Sequence, residues 1–569
     1  MKTRMIYFLF TVSVIISAGE RTSAVEFTSS NLPIVIINTN GQTIVDEPKI
    51  TADMKVIFNG EGKRNAVTDT VMQYNGKIGI EIRGSSSQMF PKKQYGLETR
   101  EGSGAERDVS LFGMPVESDW ILSAPYNDKS LMRDAMTYSF SNAIGRYASR
   151  TRYCELVLNG EYMGVFILME KIKRDKGRVN ITKIDTSAVS GDLLSGGYIV
   201  KIDKLSGSGN DGWYSSYLPR PGSPFKINYL YEYPKSEDIT ASEKLYIKNF
   251  FLQFETVFSG PSFKDSVNGY SKYIDLPSMV DYFLLNEMGK NVDGFRLSAY
   301  MHKDKDSKNP KLILGPVWDF NHAYGNSNYY ESSSSSGWQL TWFNTNTAFQ
   351  NGDTWQPPFW WFKAMEDSAF NRLAVSRWKS IRMKQVTLAK MHGFIDSVAT
   401  LVNEAQQRNF VRWPILNQYV WPNAYIGGTY ANEIKYLKNW VMQRLTWMDF
   451  KLTGGPVSVG EETSASPASF GLTQNYPNPF NPSTTIRFTV GQDSGPADGD
   501  ASAQASDGAH VSLTVFDLLG NNVQTLVNER KPAGTYTIQF TASHLPSGMY
   551  FYRLQSGNIS HTKKLVLLK

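Results

Sequence analysis

The chain has 569 residues, a formal charge of +6, aromatic residues at 13% and one cysteine, Cys154. One cysteine excludes an intramolecular disulfide and any cysteine-based zinc or iron–sulfur site, so stability must come from apolar packing, for which aromatic side chains are well suited. The modest charge, without a long basic run, leaves no nucleic-acid footprint, and a length beyond the roughly 250–300 residues at which one core stops growing predicts two or more domains.

In chain order, residues 1–24 read as a signal peptide. Lys2 and Arg4 precede an apolar run to about Ala18, and Thr22-Ser-Ala24 offers small residues at a cleavage point. A membrane span would need roughly 20 apolar residues and a stop-transfer flank, and no later segment is long enough. Lys77–Arg83 alternates as a strand, Gly84–Ser87 is a small flexible connection, and Lys92–Glu98 reads as the returning strand. Glycine and serine let a backbone approach phosphates closely, and Lys93 or its neighbour Lys92 can then pair with them. A basic hairpin facing solvent would look the same, and the chain has no P-loop signature. Residues 127–145 read as a helix on which Arg133 is expected to be solvated rather than to bind phosphate.

The most informative stretch is 275–326. Asp275 caps a helix with Pro277 in its first turn, and Met279, Val280, Phe283, Leu284 and Met288 continue its apolar face to a stop near Gly289. A loop, 290–294, is followed by a strand over 295–301, a polar turn, a second strand over 311–318, and Asp319-Phe-Asn321. A helix, a polar loop bearing Asn and Asp, a hairpin, and a second Asp at its end is the order of parts in a protein-kinase catalytic core. Phosphoryl transfer needs one carboxylate to orient or deprotonate the attacking hydroxyl and another to hold a metal ion on the nucleotide phosphates. Asp293 is assigned the first role and Asp319 the second, with Asn291, Asn286 or Asn321 as oxygen ligands; taken singly, each Asp also fits a solvated turn former.

Five serines, Ser332–Ser336, follow where a kinase places an activation or substrate segment. They are expected to form a flexible loop, either phosphorylated by the protein itself or without a role. Residues 431–450 form an apolar helical stripe through Ile434, Leu437, Val441, Leu445 and Met448, ended by Gly454. Trp355, Trp360, Trp361, Trp378, Trp413, Trp421, Trp440 and Trp447 share this helical half, as packing or as a carbohydrate platform. Residues 453–469 are a Gly/Ser/Pro-rich linker. Alternating strands at 485–490, 511–516, 535–540 and 549–554 then argue a β-sandwich, with a low-complexity insert at 491–510.

Two resemblances rest on these segments. Asn475-Tyr-Pro-Asn-Pro-Phe-Asn-Pro482, Val515-Phe-Asp-Leu-Leu-Gly520, Leu545-Pro-Ser-Gly-Met-Tyr-Phe551 and the terminal Lys563–Lys569 resemble the C-terminal sorting domain of type IX secretion cargo, which implies an FlgD-like immunoglobulin fold over 470–569, secretion, and the type IX machinery as a partner. Residues 25–452 resemble the CotH family through Trp120–Asp134, Leu158–Lys171 and Gly315-Pro-Val-Trp-Asp-Phe-Asn321. That resemblance implies an α+β, atypical protein-kinase-like two-lobe domain that uses ATP with Mg2+ or Mn2+ on Ser or Thr of extracellular or surface proteins, serine-rich ones included. Asn291-Val-Asp293 matches the family's catalytic loop, Asp319-Phe-Asn321 its metal motif, and Arg83-Gly84-Ser85 to Lys92-Lys93 its phosphate-binding hairpin.

The chain departs from ordinary kinases in the long connection between Asp293 and Asp319 and in lacking His-Arg-Asp and Asp-Phe-Gly. Glu170 is the candidate carboxylate for the strand lysine, with Asp128 or Asp134 as alternatives that read equally as helix caps. The competing function is a non-catalytic CotH-like scaffold for adhesion or coat assembly. A hydrolase is disfavoured: there is no Gly-x-Ser-x-Gly elbow, and the six histidines show no metal-ligand spacing. His322, beside Asp319, reads as packed or exposed.

Overall fold

A computed structural model describes residues 25–185, 187–205, 211–455, 457, 470–475, 478–491, 509–518, 520–557 and 559–568. Residues 1–24, expected to be a signal peptide, and most of the expected linker and insert lie outside the described residues. Chain contacts divide the protein into two units, Met1–Val459 and Gly460–Lys569.

The first unit begins with strands: β1 (Ser29–Ser30), β2 (Ile34–Asn38), β3 (Ile50–Ile57), β4 (Asn65–Ala66), β5 (Tyr74–Arg83), β6 (Gln94–Arg100) and β7 (Asp119–Ser123), then helix α1 (Arg133–Ala143), β8 (Thr151–Leu158) and β9 (Glu161–Glu170). Strands β2-β3-β5-β6-β7-β9-β8 close into a barrel whose one parallel seam joins β2 to β8. Period-two patterning explains the closure. Val35/Ile37, Ala52/Met54/Val56, Ile78/Ile80, Tyr95/Leu97, Trp120/Leu122, Cys154/Leu156 and Phe166/Leu168 all meet in one core. The alternate residues of β7 and β9, among them Ile121, Ile167 and Met169, face a second core shared with α1. Each large side chain buried this way contributes about 1.5–3 kcal/mol.

That second core holds the antiparallel sheet β11-β12-β10-β13-β14, built from β10 (Tyr198–Ile202), β11 (Gly212–Tyr214), β12 (Asn228–Tyr233), β13 (Ala299–Lys303) and β14 (Leu312–Leu314). Around it lie α2 (Ala241–Ser259), α3 (Leu276–Gly289), and a helical series ending in α7 (Ser368–Lys384), α8 (Leu388–Leu401), α9 (Asn403–Arg412) and α10 (Tyr430–Thr453). The expected caps are present: Asp275 accepts from Ser278 N, and Gly454 closes α10 at φ 77°. The α10 stripe is core, with Leu437, Val441, Leu445 and Met448 all buried.

Three expectations are corrected. The strand of 295–301 begins only at Ala299, because residues 292–298 turn first. The helix of 127–145 begins only at Arg133, because Asp128 folds the preceding turn onto itself by accepting from Met132 N (3.0 Å) and Arg133 N (2.8 Å). Arg133 is buried rather than solvated: it pairs with Asp128 and donates to Ala323 O at 3.1 Å.

The second unit pairs β15 (Gly471–Leu472), β16 (Ser483–Val490) and β19 (Gly534–Thr541) in one sheet. The other holds β17 (Ala509–Phe516), β18 (Asn522–Lys531), β20 (Gly548–Ser556) and β21 (Ile559–Leu567). Ile486, Phe488, Val511, Leu513, Val515, Phe540, Tyr552 and Leu554 fill the space between. The polar motif before β16 is consumed in holding this sandwich. Asn475 N donates to Tyr552 Oη (2.7 Å), Asn475 Nδ2 to Thr484 Oγ1 (2.9 Å), and Asn478 Oδ1 accepts from Val566 N (2.8 Å). Among the described residues, no helix is long and apolar enough to cross a membrane.

Candidate active site

The site is built where α3 ends and where the β13–β14 hairpin returns. Lys290 caps α3 in the left-handed conformation (φ 46°), turning the chain into the loop that carries Asn291 and Asp293. Asn291 ties this loop to the hairpin's far end. Its Nδ2 donates to Asp319 O at 3.1 Å, and its Oδ1 accepts from Asp293 N at 3.2 Å. Two aspartates 26 positions apart in the chain are thus joined through one buried amide. Asn286, expected as a metal ligand, is instead an internal brace: Nδ2 donates to Tyr282 O (3.0 Å) and Oδ1 accepts from Asn291 Nδ2 (3.3 Å). The loop passes so close that a Cβ on Gly294 would lie 1.7 Å from Asn286 Oδ1.

At the other end, Asp319 (φ 54°) and Ser298 (φ 48°) both stand in the left-handed region. Such positions cost about 1–3 kcal/mol and persist where surroundings hold them. The surroundings here are Tyr138 Oη, which accepts from Asp319 N at 3.2 Å, and Asp134 Oδ1, which accepts from Phe320 N at 2.6 Å. Ser298 Oγ lies 2.8 Å from Asp319 Oδ2 and 3.4 Å from Asp203 Oδ2. Asp203 follows β10 and is a carboxylate the sequence reading missed. Among the described residues, neither Asp203 nor Asp319 has an ion-pair partner.

The electrostatics separate the carboxylates. Burial, with the charges of Asp203 and Asp293 nearby, pushes Asp319 up, against the Ser298 hydroxyl and the Arg83 charge. Asp203 is also raised by burial, and Asp134 is raised to about 8 by burial and the Asp319 charge. Burial would raise Asp293 too, but the His322 contact and the Arg296 charge hold it below its ordinary range. Arg296 Nη2 is 3.0 Å from Asp293 Oδ1, and His322 Nδ1 is 3.5 Å from Oδ2. Neighbouring acids whose environments drive them apart mark divided chemical roles. Asp293 lines a cleft of about 340 Å³ with Ser86, Lys204, Arg296, His322, Tyr329, Asp353, Trp355 and Trp421.

The hairpin residues divide. At Gly84 (φ 101°) a Cβ would lie 2.0 Å from Ser87 Oγ, so glycine is required for the turn that carries Ser85 and Ser86. Arg83, at the end of β5, lies over the Trp318 ring at 5.6 Å, close enough for its charge to bear on Asp319. Lys93 donates to Gln88 O at 2.5 Å, within its own hairpin. Lys92 does not fit its expected role. It is buried against the barrel, donating to Val165 O (2.5 Å) and Asn409 Oδ1 (2.8 Å), and burial lowers it to about 7.

Glu170 does not pair with a lysine either. It binds Arg150 at 2.7 Å and faces Arg178, while Asp128 is spent on the turn before α1. A strand lysine paired with a carboxylate on the neighbouring strand of the second sheet is Lys201, on β10, 2.9 Å from Glu232 on β12. Burial would depress Lys201, but Glu232 holds it above its ordinary value. A lone lysine inside the apolar run Tyr198–Ile202, followed by Asp203-Lys204, was the available signal.

The serine segment is not a free loop. Lys290 Nζ donates to Glu331 O (2.7 Å) and Ser336 O (2.6 Å), Arg444 Nη1 to Ser335 O (3.1 Å) and Gly337 O (2.7 Å), and Trp440 Nε1 to Ser333 O (2.8 Å). Ser332 is buried. Of the tryptophans, Trp360, Trp361, Trp378, Trp413 and Trp440 are packing, whereas Trp355 and Trp421 line the cleft.

A mixed α/β domain with a polar cleft lined by Asp293, and an all-β C-terminal unit, define the class of protein. Residues 80–448, more than half of the chain, match the family described as CotH kinase protein, and the chain belongs to that family. Residues 474–568 match the secretion system C-terminal sorting domain. Inner spore coat protein H of Bacillus subtilis (strain 168) is 22% identical over 284 residues, 49% of this chain and 68% of that protein.

Proposed function

We propose that this protein is a secreted atypical protein kinase that transfers the γ-phosphoryl group of ATP to Ser or Thr of extracellular or surface proteins. The observation that carries the reading is the joining of Asp293 and Asp319 through Asn291, with their acidities driven in opposite directions. Family membership supports nucleotide use. In this reading the barrel and the helix-bearing sheet act as two lobes, the turn at Gly84–Ser87 lies over the phosphates, and Arg83, Lys93 and Lys201 supply cationic groups. Lys201 with Glu232 takes the part first assigned to Lys93 and Glu170.

Asp293 orients the acceptor hydroxyl. As the new P–O bond forms and the bond from the γ-phosphorus to the bridging oxygen breaks, ADP leaves and the hydroxyl proton passes to the Asp293 carboxylate. A carboxyl held below its ordinary range is a weak base, so its main contribution is orientation, with the proton moving late in a loose transition state.

The residues fit a divalent cation. Asp319, Asp203, Ser298 Oγ and Asn321 offer hard oxygen donors, and two half-buried carboxylates sharing one hydroxyl, without an ion-pair partner among the described residues, are an arrangement that a cation relieves. Among the described residues, no group of three or more His, Cys, Asp or Glu side chains is placed to hold a metal ion. Mg2+ or Mn2+ would have to be held by one or two carboxylates together with substrate phosphates, and when bound would neutralise phosphate charge.

We also assign residues 1–24 to a signal peptide, 25–452 to the kinase domain, 453–469 to a linker and 470–569 to an immunoglobulin-like domain that delivers the protein through the type IX machinery to the medium or the cell surface. Incubation with labelled ATP and Mn2+, comparing wild type with Asp293→Ala and Asp319→Ala, tests the enzyme reading. Equal labelling in all three would leave a non-catalytic surface scaffold.

A further inference from the structure

We infer that His322 is a positioning residue for Asp293, locked as the Nδ1–H tautomer by Asn127; this rests on the kinase reading above. His322 follows the Asp319-Phe-Asn321 turn directly and is buried. Asn127 Nδ2 lies 2.9 Å from His322 Nε2, while Asn127 Oδ1 accepts from Asn321 Nδ2 at 3.2 Å. With its oxygen engaged by Asn321, Asn127 can only donate to His322, so Nε2 is the acceptor and the ring hydrogen resides on Nδ1. Nδ1 lies 3.5 Å from Asp293 Oδ2 and 3.4 Å from Tyr329 Oη, so its hydrogen faces both. Reversing both amides would turn an Nδ1 lone pair toward a carboxylate, an electrostatic clash that the observed arrangement avoids.

Asn127 is itself held. Its carbonyl accepts from Asn423 Nδ2 (2.7 Å) and Asn326 Nδ2 (3.1 Å), and Asn326 Nδ2 also donates to Asn321 O (2.7 Å). The ring is further confined by Trp421, edge-on at 5.5 Å. These contacts run from the metal motif through Asn127 and His322 to the catalytic loop. Arg296 takes Asp293 Oδ1 and His322 faces Oδ2, so the carboxylate is held at both oxygens. A ring that only filled space would need neither the asparagine web nor a nitrogen aimed at Asp293.

The test uses the full chain. His322→Leu is expected to lower kcat by about 10- to 100-fold, the range seen when a residue orienting a site group is removed, with KM for ATP and the melting temperature near wild type. His322→Asn places an amide donor near the Nδ1 position and is expected to recover most of the loss. Unchanged kcat in His322→Leu, in a protein that Asp293→Ala inactivates, overturns the inference alone; if Asp293→Ala is also silent, the kinase reading falls. Independently of activity, long-range 1H–15N spectra of 15N-histidine-labelled protein, assigned with His322→Asn, are expected to show the Nδ1–H pattern. An Nε2–H pattern overturns the inference.

Discussion

The cleft of the first unit and the sandwich of the second treat polar residues in opposite ways. In the sandwich, Asn475 and Asn478 donate and accept within the fold, so folding accounts for them. In the first unit, Asp203 and Asp319 stand half-buried within reach of the same Ser298 hydroxyl, without an ion-pair partner among the described residues, and both are pushed toward the neutral form. That arrangement costs the fold stability, because the Ser298 hydroxyl and the charges of Lys201 and Arg83 offset the two desolvated carboxylates only in part. The difference teaches where to look for function: polar groups that complete the fold are explained by it, and those that strain it are the ones to test for a functional role.

The largest test of this contrast is the cleft itself. Asp293→Ala and Asp319→Ala are each expected to reduce labelled phosphoryl transfer by at least about 100-fold. Asp319→Asn should lose activity too, yet it removes a buried charge and keeps a residue that tolerates positive φ, so the apo protein should become more stable by roughly 1–3 kcal/mol. A lower melting temperature for Asp319→Asn would break the contrast. Lys201→Met leaves the half-buried Glu232 without its partner and is expected to destabilise the first unit by about 2–3 kcal/mol in denaturant titration. ATP binding should weaken with it.

A smaller effect separates strained burial in the cleft from satisfied burial elsewhere. Glu255 receives the Ser215 and Tyr229 hydroxyls, each at 2.8 Å, and burial raises its carboxyl to about 7. Because the folded value lies above the unfolded one, its contribution is intact below about pH 4 and lost as pH rises through about 7. Glu255→Gln should therefore narrow the gap between unfolding free energies at pH 5 and pH 8, by an amount on the order of 2 kcal/mol. An unchanged gap would show that hydroxyl donors suffice to keep this charge. The smallest effect belongs to the sandwich: Asn475→Ala should cost about 1 kcal/mol in the second unit's own unfolding transition while phosphoryl transfer stays at the wild-type level.

Much of this could be read from local pattern. Helix α3 was legible to its ends, because Asp275, Pro277 and Gly289 act within one turn of where they stand. The barrel strands β5 and β6 and the sandwich strands followed from alternation, which depends only on which face meets the core. Lys92 was misassigned for the same reason. It stands beside a plausible phosphate turn in sequence, yet it is drawn to Val165 and Asn409, and nothing near position 92 announces Asn409.

The sequence by itself determined the order of parts and the two aspartates at the ends of a hairpin, since periodicity, caps and turn residues are short-range properties of the chain. Tertiary structure alone decided the pairing of Lys201 with Glu232, the approach of Asp203 to Asp319 across Ser298, and the contact between His322 and Asp293. Each of those joins residues from separate elements. Sheet register and turn geometry set their distances, and charge burial follows from which elements pack together.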